Sequence, residues 1–107
     1  MINIDTLGLG SLKVDIRSDR GLKCIAERIA SDIGGQLSPS LLRESTGDWE
    51  PFDRQGIAVL SLHSLDRRLI GKLHTRKDSW PAIAENRMQE AWRLLLNISH
   101  FLNQRQV

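Results

Sequence analysis

The chain has 107 residues, 40% hydrophobic and 26% charged, with a formal net charge of +2 at pH 7. This length and composition are typical of one globular domain, residues 1–107, and exclude separate catalytic and regulatory domains. Its longest apolar runs are far below the roughly 20 residues that span a bilayer, so we expect no membrane contact.

The amino terminus and the cysteine content predict the compartment. Residues 1–10 contain neither the basic nor the apolar region of a targeting peptide. The single Cys24 forms no internal disulfide, which is typical of a reducing compartment. We therefore expect a cytoplasmic protein. Helical spacing places Cys24 opposite an apolar stripe, so we also expect this thiol to be exposed and not catalytic.

The charge is unevenly divided along the chain. Residues 1–53 carry six basic and nine acidic residues, a net charge of −3, whereas residues 54–107 carry nine and four, a net charge of +5. This polarity is compatible with an acidic partner for the second half or with head-to-tail contact between two copies, and it does not decide between them.

The first predicted elements are two strands. Apolar and charged residues alternate near residues 11–17, which predicts a strand with one buried face. A shorter strand containing Ile2 and Ile4 is predicted to pair with it across a glycine turn at Gly8 and Gly10.

An amphipathic helix is predicted over residues 19–33. Ser18 or Asp19 supplies a side-chain acceptor for its first amides, and Gly34 with Gly35 ends it. Its apolar positions recur at helical spacing: Leu22, Ile25, Ala26, Ile29 and Ile33.

The end of this helix and the segment after it resemble a helix-turn-helix. The run IASDIG at residues 29–34 is followed by LSPSLLR at residues 37–43, similar to a first helix ending in Ala-x-x-x-Gly and a Ser-rich start of a recognition helix. The resemblance implies DNA reading. The alternative is a helix stop followed by a short helical turn capped by Ser38, and the acidic surroundings favour it.

Residues 43–56 are predicted to be a surface segment punctuated by glycine and proline. It contains two large apolar side chains, Trp49 and Phe52. We expect them to cover the edge of the core, and the alternative is a contact with a partner.

The next segment predicts a hairpin. A run of branched apolar residues indicates a buried strand near residues 57–63. Helical and strand spacing compete over residues 65–73, but Gly71 weakens a helix interior, so we predict a second strand near residues 67–73. If residues 57–75 were helical instead, the chain would be an all-α bundle.

This segment also concentrates positive charge. The basic side chains could neutralise several phosphates, so nucleic-acid binding is an alternative function. The segment contains no aromatic residue that could stack on bases. The other explanation is a strand edge protected by charge. The candidate nucleic-acid contacts are Arg67, Arg68, Lys72, Arg76 and Lys77.

No residue pattern indicates catalysis or a metal. His63 and His74 would lie across the predicted hairpin from each other, but no cysteine or carboxylate pair completes a metal shell, and His100 stands alone. No nucleophile elbow or phosphate-binding loop is present. We therefore expect no enzyme activity, no cofactor and no metal.

The last predicted element is a long helix over residues 80–103, capped by Ser79 with Pro81 in its first turn. At 1.5 Å per residue it would be about 35 Å long, so we expect its distal part, Ile98 to Leu102, to project beyond a small sheet. A projecting apolar stripe predicts self-association. The predicted interface residues are Met88, Ala91, Trp92, Leu95, Ile98 and Leu102.

Together these elements predict a small α+β domain in which an antiparallel or mixed sheet packs against the two helices. The predicted function is a non-catalytic protein–protein interaction or assembly module, a homo-oligomer or the partner of another protein, formed through its carboxy-terminal helix. The alternative is a small nucleic-acid-binding accessory protein that uses residues 67–77.

Overall fold

The computed structural model describes residues 1–41, 47–65 and 83–104. Four strands in one mixed sheet, with helices, confirm the predicted α+β fold and rule out the all-α alternative. The elements are, in order, β1 (Ile2–Asp5), β2 (Lys13–Asp15), α1 (Arg20–Asp32), β3 (Ser38–Ser40), α2 (Glu50–Arg54), β4 (Leu60–His63) and α3 (Glu85–Gln104).

The strand order is β1-β4-β2-β3. Strand β4 lies between β1, to which it is parallel, and β2, to which it is antiparallel. The predicted pairing of the first two strands is therefore wrong. The predicted hairpin would pair β4 with a strand at residues 67–73, and these residues lie outside the described part of the chain.

The two faces of the sheet differ in chemistry. Leu60 and Leu62 are fully buried and pack in one cluster with Val14 and with residues of α1 and α3. Ser61 and His63 alternate with these leucines, so they lie on the opposite face, and both are also buried. The apolar face forms the core, and the polar face forms a second buried layer.

Helix α1 matches the predicted helix over residues 19–33. Of the two predicted caps, Asp19 is the one used: its side chain accepts a hydrogen bond from the Leu22 amide at 3.0 Å. The helix ends in a Schellman motif, in which Gly34 at φ 70° and the Gly35 amide close back on the last turn.

The segment after α1 forms a strand and not a helix. β3 pairs in parallel with β2, and the Ile16 amide donates to the Ser40 carbonyl at 3.0 Å. Pro39, which has no amide hydrogen, is tolerated because β3 stands at the end of the strand order. Residues 38–40 therefore contradict both the recognition helix of the helix-turn-helix and the short helical turn.

Helix α3 begins later than predicted. Residues 83–84 are not helical, and the Ala84 amide donates to the Gly8 carbonyl at 2.8 Å. The predicted start at residues 80–82 lies outside the described residues. From Glu85 the helix is about 30 Å long and packs on α1, burying Ala91, Leu94 and Ile98.

Close packing at Gly8 gives a first prediction. Gly8 has φ 87°, and a Cβ there would lie 2.7 Å from Ile83 Cγ2 and 2.8 Å from Met88 Sδ. We expect Gly8→Ala to lower the free energy of unfolding by about 2–4 kcal/mol, through the left-handed backbone and through overpacking.

The matched control for this substitution is Gly56→Ala. Gly56 has φ 76°, but a Cβ there meets no described atom within 4 Å. Its cost should be only that of the backbone, about 1–2 kcal/mol. Urea denaturation measures both variants, and equal losses would refute the close contact at Gly8.

Candidate functional site

The largest exposed apolar surface on α3 follows one side of the helix. Met88, Trp92 and Leu96 are spaced four residues apart and therefore lie on one face. Their exposed fractions are 40%, 67% and 55%. We call these three residues the α3 stripe. An exposed tryptophan flanked by two apolar side chains is typical of a protein contact.

The structure revises the predicted interface. Ala91 and Ile98 are 1% and 0% exposed because they pack against the chain's own sheet, so they are not available to a partner. Leu95 and Leu102 are half-buried against the same core. The distal part of the helix is therefore covered and does not project. The surplus apolar surface lies along the side of α3, at Met88, Trp92 and also Leu96, which was not predicted.

The charges beside the stripe balance. Helix α3 carries two acidic residues, Glu85 and Glu90, and two arginines, Arg87 and Arg93. Arg87 Nη1 lies 3.3 Å from Glu90 Oε2. Residues 94–104 contain no Asp, Glu, Lys or Arg. The helix therefore presents no net charge that would repel an identical surface.

The two aromatic residues of the predicted surface segment are separated by the fold. The segment contains the short helix α2, which was not predicted. Trp49 is 7% exposed, so it covers the interior as expected and is not a surface contact. Phe52 is 43% exposed and remains a candidate partner contact.

A second candidate site is the buried polar face of the sheet. The side chains Asn3, Asp15, Ser61 and His63 lie there, each at most 9% exposed. Asn3 Nδ2 donates to Ser61 Oγ at 3.3 Å. Together with Trp49 they line a small recess of about 20 Å³. Buried polar groups need hydrogen-bond partners, so a group in the recess that lacks one is the group that could bind a ligand.

Asp15 and Arg17 form the charged part of this layer. Arg17 donates to Asp15 from its backbone amide at 2.8 Å, from Nε at 2.9 Å and from Nη2 at 2.6 Å. Burial alone would raise the pKa of Asp15, but the hydrogen bonds and charge of Arg17 outweigh it and hold that pKa below its ordinary value. The Arg17 guanidinium also lies 5.0 Å from the centre of the Trp49 ring.

His63 is a neutral hydrogen-bond donor within the layer. Its Nδ1 accepts a hydrogen bond from the Leu65 amide at 3.0 Å, so in the neutral ring the proton is on Nε2. That Nε2 is buried and has no partner among the described residues. Burial lowers the pKa of His63, which Asp15 only partly opposes, so the ring is neutral near pH 7.

This burial predicts a pH dependence of stability. Because the pKa of His63 is lower in the folded chain than its ordinary 6.5, its contribution is complete above pH 6.5 and is lost as the pH falls below it. We expect the free energy of unfolding to decrease from pH 7.5 to pH 5 in the parent chain and to change less in His63→Gln. Urea denaturation at several pH values measures this.

The control for the pH experiment is His100→Gln. His100 is exposed, and its Nε2 lies 3.0 Å from Gln104 Nε2 at the end of α3. This variant should keep the pH dependence of the parent chain. If His100→Gln and His63→Gln reduced the pH dependence of the free energy of unfolding equally, His63 would not be the source of that dependence.

The structure places the remaining predicted residues as follows. Cys24 is exposed, as predicted. His74 and the basic residues Arg67, Arg68, Lys72, Arg76 and Lys77 lie outside the described residues, so nucleic-acid binding stays a prediction. Within residues 1–41, 47–65 and 83–104, no three His, Cys, Asp or Glu side chains are grouped to hold a metal ion. None of the described helices is long and apolar enough to cross a membrane.

Comparison with known proteins adds no relative. No protein-family model, no curated protein and no solved structure matches this chain.

Sequence reasoning missed the polar layer. The alternation over residues 11–17 predicts Asp15 on the polar side of its strand, but alternation shows only that two faces differ and not what covers the second one. The signal was β4, where Ser61 and His63 alternate with leucines inside a run already predicted to be buried.

Proposed function

We propose that this chain is a protein–protein assembly module that self-associates through the α3 stripe. The observation that carries the proposal is Trp92, which is 67% exposed at the centre of the stripe. Tryptophan buries a large apolar area at a small cost in conformational entropy, which is why it is enriched at interface hot spots.

The spacing of the stripe suits a two-fold symmetric contact. Met88 and Leu96 lie four residues before and after Trp92. If two copies of α3 cross antiparallel with Trp92 near the axis, each Met88 meets the Leu96 of the other copy. Such an isologous contact uses one surface twice and closes as a dimer.

The charges around the α3 stripe favour a second copy of the chain as its binding partner. A strongly basic or acidic rim would select an oppositely charged partner and repel a copy of itself. The rim of the stripe instead carries two acidic residues and two arginines, and residues 94–104 are uncharged. Two identical faces of this kind approach without net repulsion.

Sedimentation equilibrium of the full chain in the micromolar range tests the proposal. We expect at least twice the monomer mass of 12.1 kDa for the parent chain. Trp92→Glu and Leu96→Glu should each give a monomer with unchanged far-UV circular dichroism, because both positions are exposed and a charge there disfavours only the contact.

The matched control is Ile57→Glu, which adds the same charge to an exposed apolar position outside the α3 stripe. It should leave the mass unchanged. A monomeric parent chain throughout the micromolar range would contradict the proposal, and so would dissociation by Ile57→Glu as complete as that by Trp92→Glu.

A further inference from the structure

The carboxyl ends of β1 and β4 bring together two groups that self-association does not use. These strands are parallel, and Asp5 is the register partner of His63. Asp5 Oδ1 accepts a hydrogen bond from Thr6 Oγ1 at 2.9 Å, whereas its Oδ2 has no partner within the described part of the chain.

The backbone directly after Asp5 is strained. Thr6 has φ 48°, a conformation that a β-branched residue rarely adopts. The Ser64 amide donates to the Thr6 carbonyl at 3.1 Å, which ties this residue to the end of β4. Strain of this kind persists where surrounding contacts enforce it, and it is concentrated at binding sites and active sites.

One buried donor of the recess beside these residues has no hydrogen-bond partner within the described part of the chain. The Nε2–H group of His63 is a buried donor with no described partner, although the large majority of buried side-chain polar atoms are hydrogen-bonded. Both Asp15 oxygens in this layer already accept hydrogen bonds from Arg17. The volume of about 20 Å³ holds one oxygen atom but no larger group, so a ligand would insert only its tip.

We propose that this recess, with Asp5 at its mouth, binds the amide group of a small ligand or peptide. The amide oxygen accepts from His63 Nε2–H, and the amide N–H donates to Asp5 Oδ2. A carboxylate ligand would be repelled by Asp5 and Asp15. A cation would meet the donor of His63 and the guanidinium of Arg17. The amide carries an acceptor and a donor on neighbouring atoms, which matches both groups.

Nitrogen-15 NMR of the full chain with labelled histidine tests this proposal, with acetamide as the probe. The Nε2 signal of His63 should shift and saturate with acetamide and should not respond to acetate. N,N-dimethylacetamide keeps the acceptor but lacks the N–H. Its affinity should be about three- to tenfold weaker, the loss of one hydrogen bond.

Variants separate the two contacts. Asp5→Ala should weaken acetamide binding about three- to tenfold, whereas Asp32→Ala, which removes the same charge from an exposed site on α1, should not. His63→Phe should abolish acetamide binding. Because this variant has no His63 signal, binding is measured by saturation transfer from the protein to acetamide in proton NMR. Because Asp5 and Asp32 are both exposed, this pair decides the test even if His63→Phe does not fold.

Several results would overturn the inference. One is a His63 Nε2 signal that does not shift with acetamide while the Hε2 proton shows a persistent contact with water. The recess would then hold only a structural water. Another is equal affinity for acetamide and N,N-dimethylacetamide. Equal binding by Asp5→Ala and Asp32→Ala would likewise exclude the contact with Asp5.

Discussion

Replacing Ile98 by alanine is expected to lower the free energy of unfolding by about 2–5 kcal/mol. Ile98 is 0% exposed and lies in the cluster that joins α1, α3 and the apolar face of the sheet. The cost has two parts, the lost burial of three carbon atoms and the cavity that they leave. Urea denaturation measures this loss, at a protein concentration too low for the chain to self-associate.

Trp92→Ala is the matched comparison. It removes a larger side chain from the same helix, but from a position that is 67% exposed. We expect its effect on the free energy of unfolding to stay within about 0.5 kcal/mol, the range of most surface substitutions. Its effect on self-association should be large. If the two variants destabilised the fold equally, the division of α3 into a core side and a stripe would be wrong.

That division shows what periodicity alone can tell. The apolar positions of α3 were correctly predicted as a broad stripe on one helix. A broad stripe can be covered by the chain's own sheet on one flank and by nothing on the other, and spacing does not distinguish the flanks. The heptad seam through Ala91 and Ile98 was predicted to be an interface, and it is the core.

Local signals were reliable where the interactions are local. The alternation over residues 11–17 predicted β2, and the cap at Asp19 with the stop at Gly34 predicted α1 nearly to its ends. These features depend on contacts within one strand or one turn of helix. The fold class followed from the order of such elements.

Strand partners depend on distant parts of the chain and were not predictable in the same way. β1 pairs with a strand 58 residues later, whereas the turn at Gly8 and Gly10 favoured its sequence neighbour. β3 has the sequence Ser-Pro-Ser, which carries no strand propensity, and it is extended because β2 offers it a parallel partner.

The candidate recess escaped prediction for a related reason. His63 was considered only as a metal ligand, because its chemistry depends on atoms that come from three strands and from Trp49. Its tautomer is set by the Leu65 amide and its neutrality by burial. Neither can be read from spacing, since both follow from which face of the sheet is covered.

Replacing Asp15 by alanine is expected to lower the free energy of unfolding by about 2–3 kcal/mol. Removing one partner of a buried ion pair costs roughly 3–5 kcal/mol, because the other charge is left without its partner. The Asp15 side chain is 5% exposed, but that of Arg17 is 31% exposed and regains some hydration, which reduces the loss. Urea denaturation at pH 7 measures the change.

Acid denaturation identifies the origin of this loss. Because the pKa of Asp15 is held below its ordinary 3.8, its stabilising contribution is present above that pH and is lost as the pH falls below it. Asp15→Ala should therefore lack part of the acid sensitivity of the parent chain, whereas Asp32→Ala, at an exposed site, should retain it. If Asp15→Ala and the parent chain lost the same free energy of unfolding as the pH falls, the Asp15–Arg17 pair would not stabilise the polar layer.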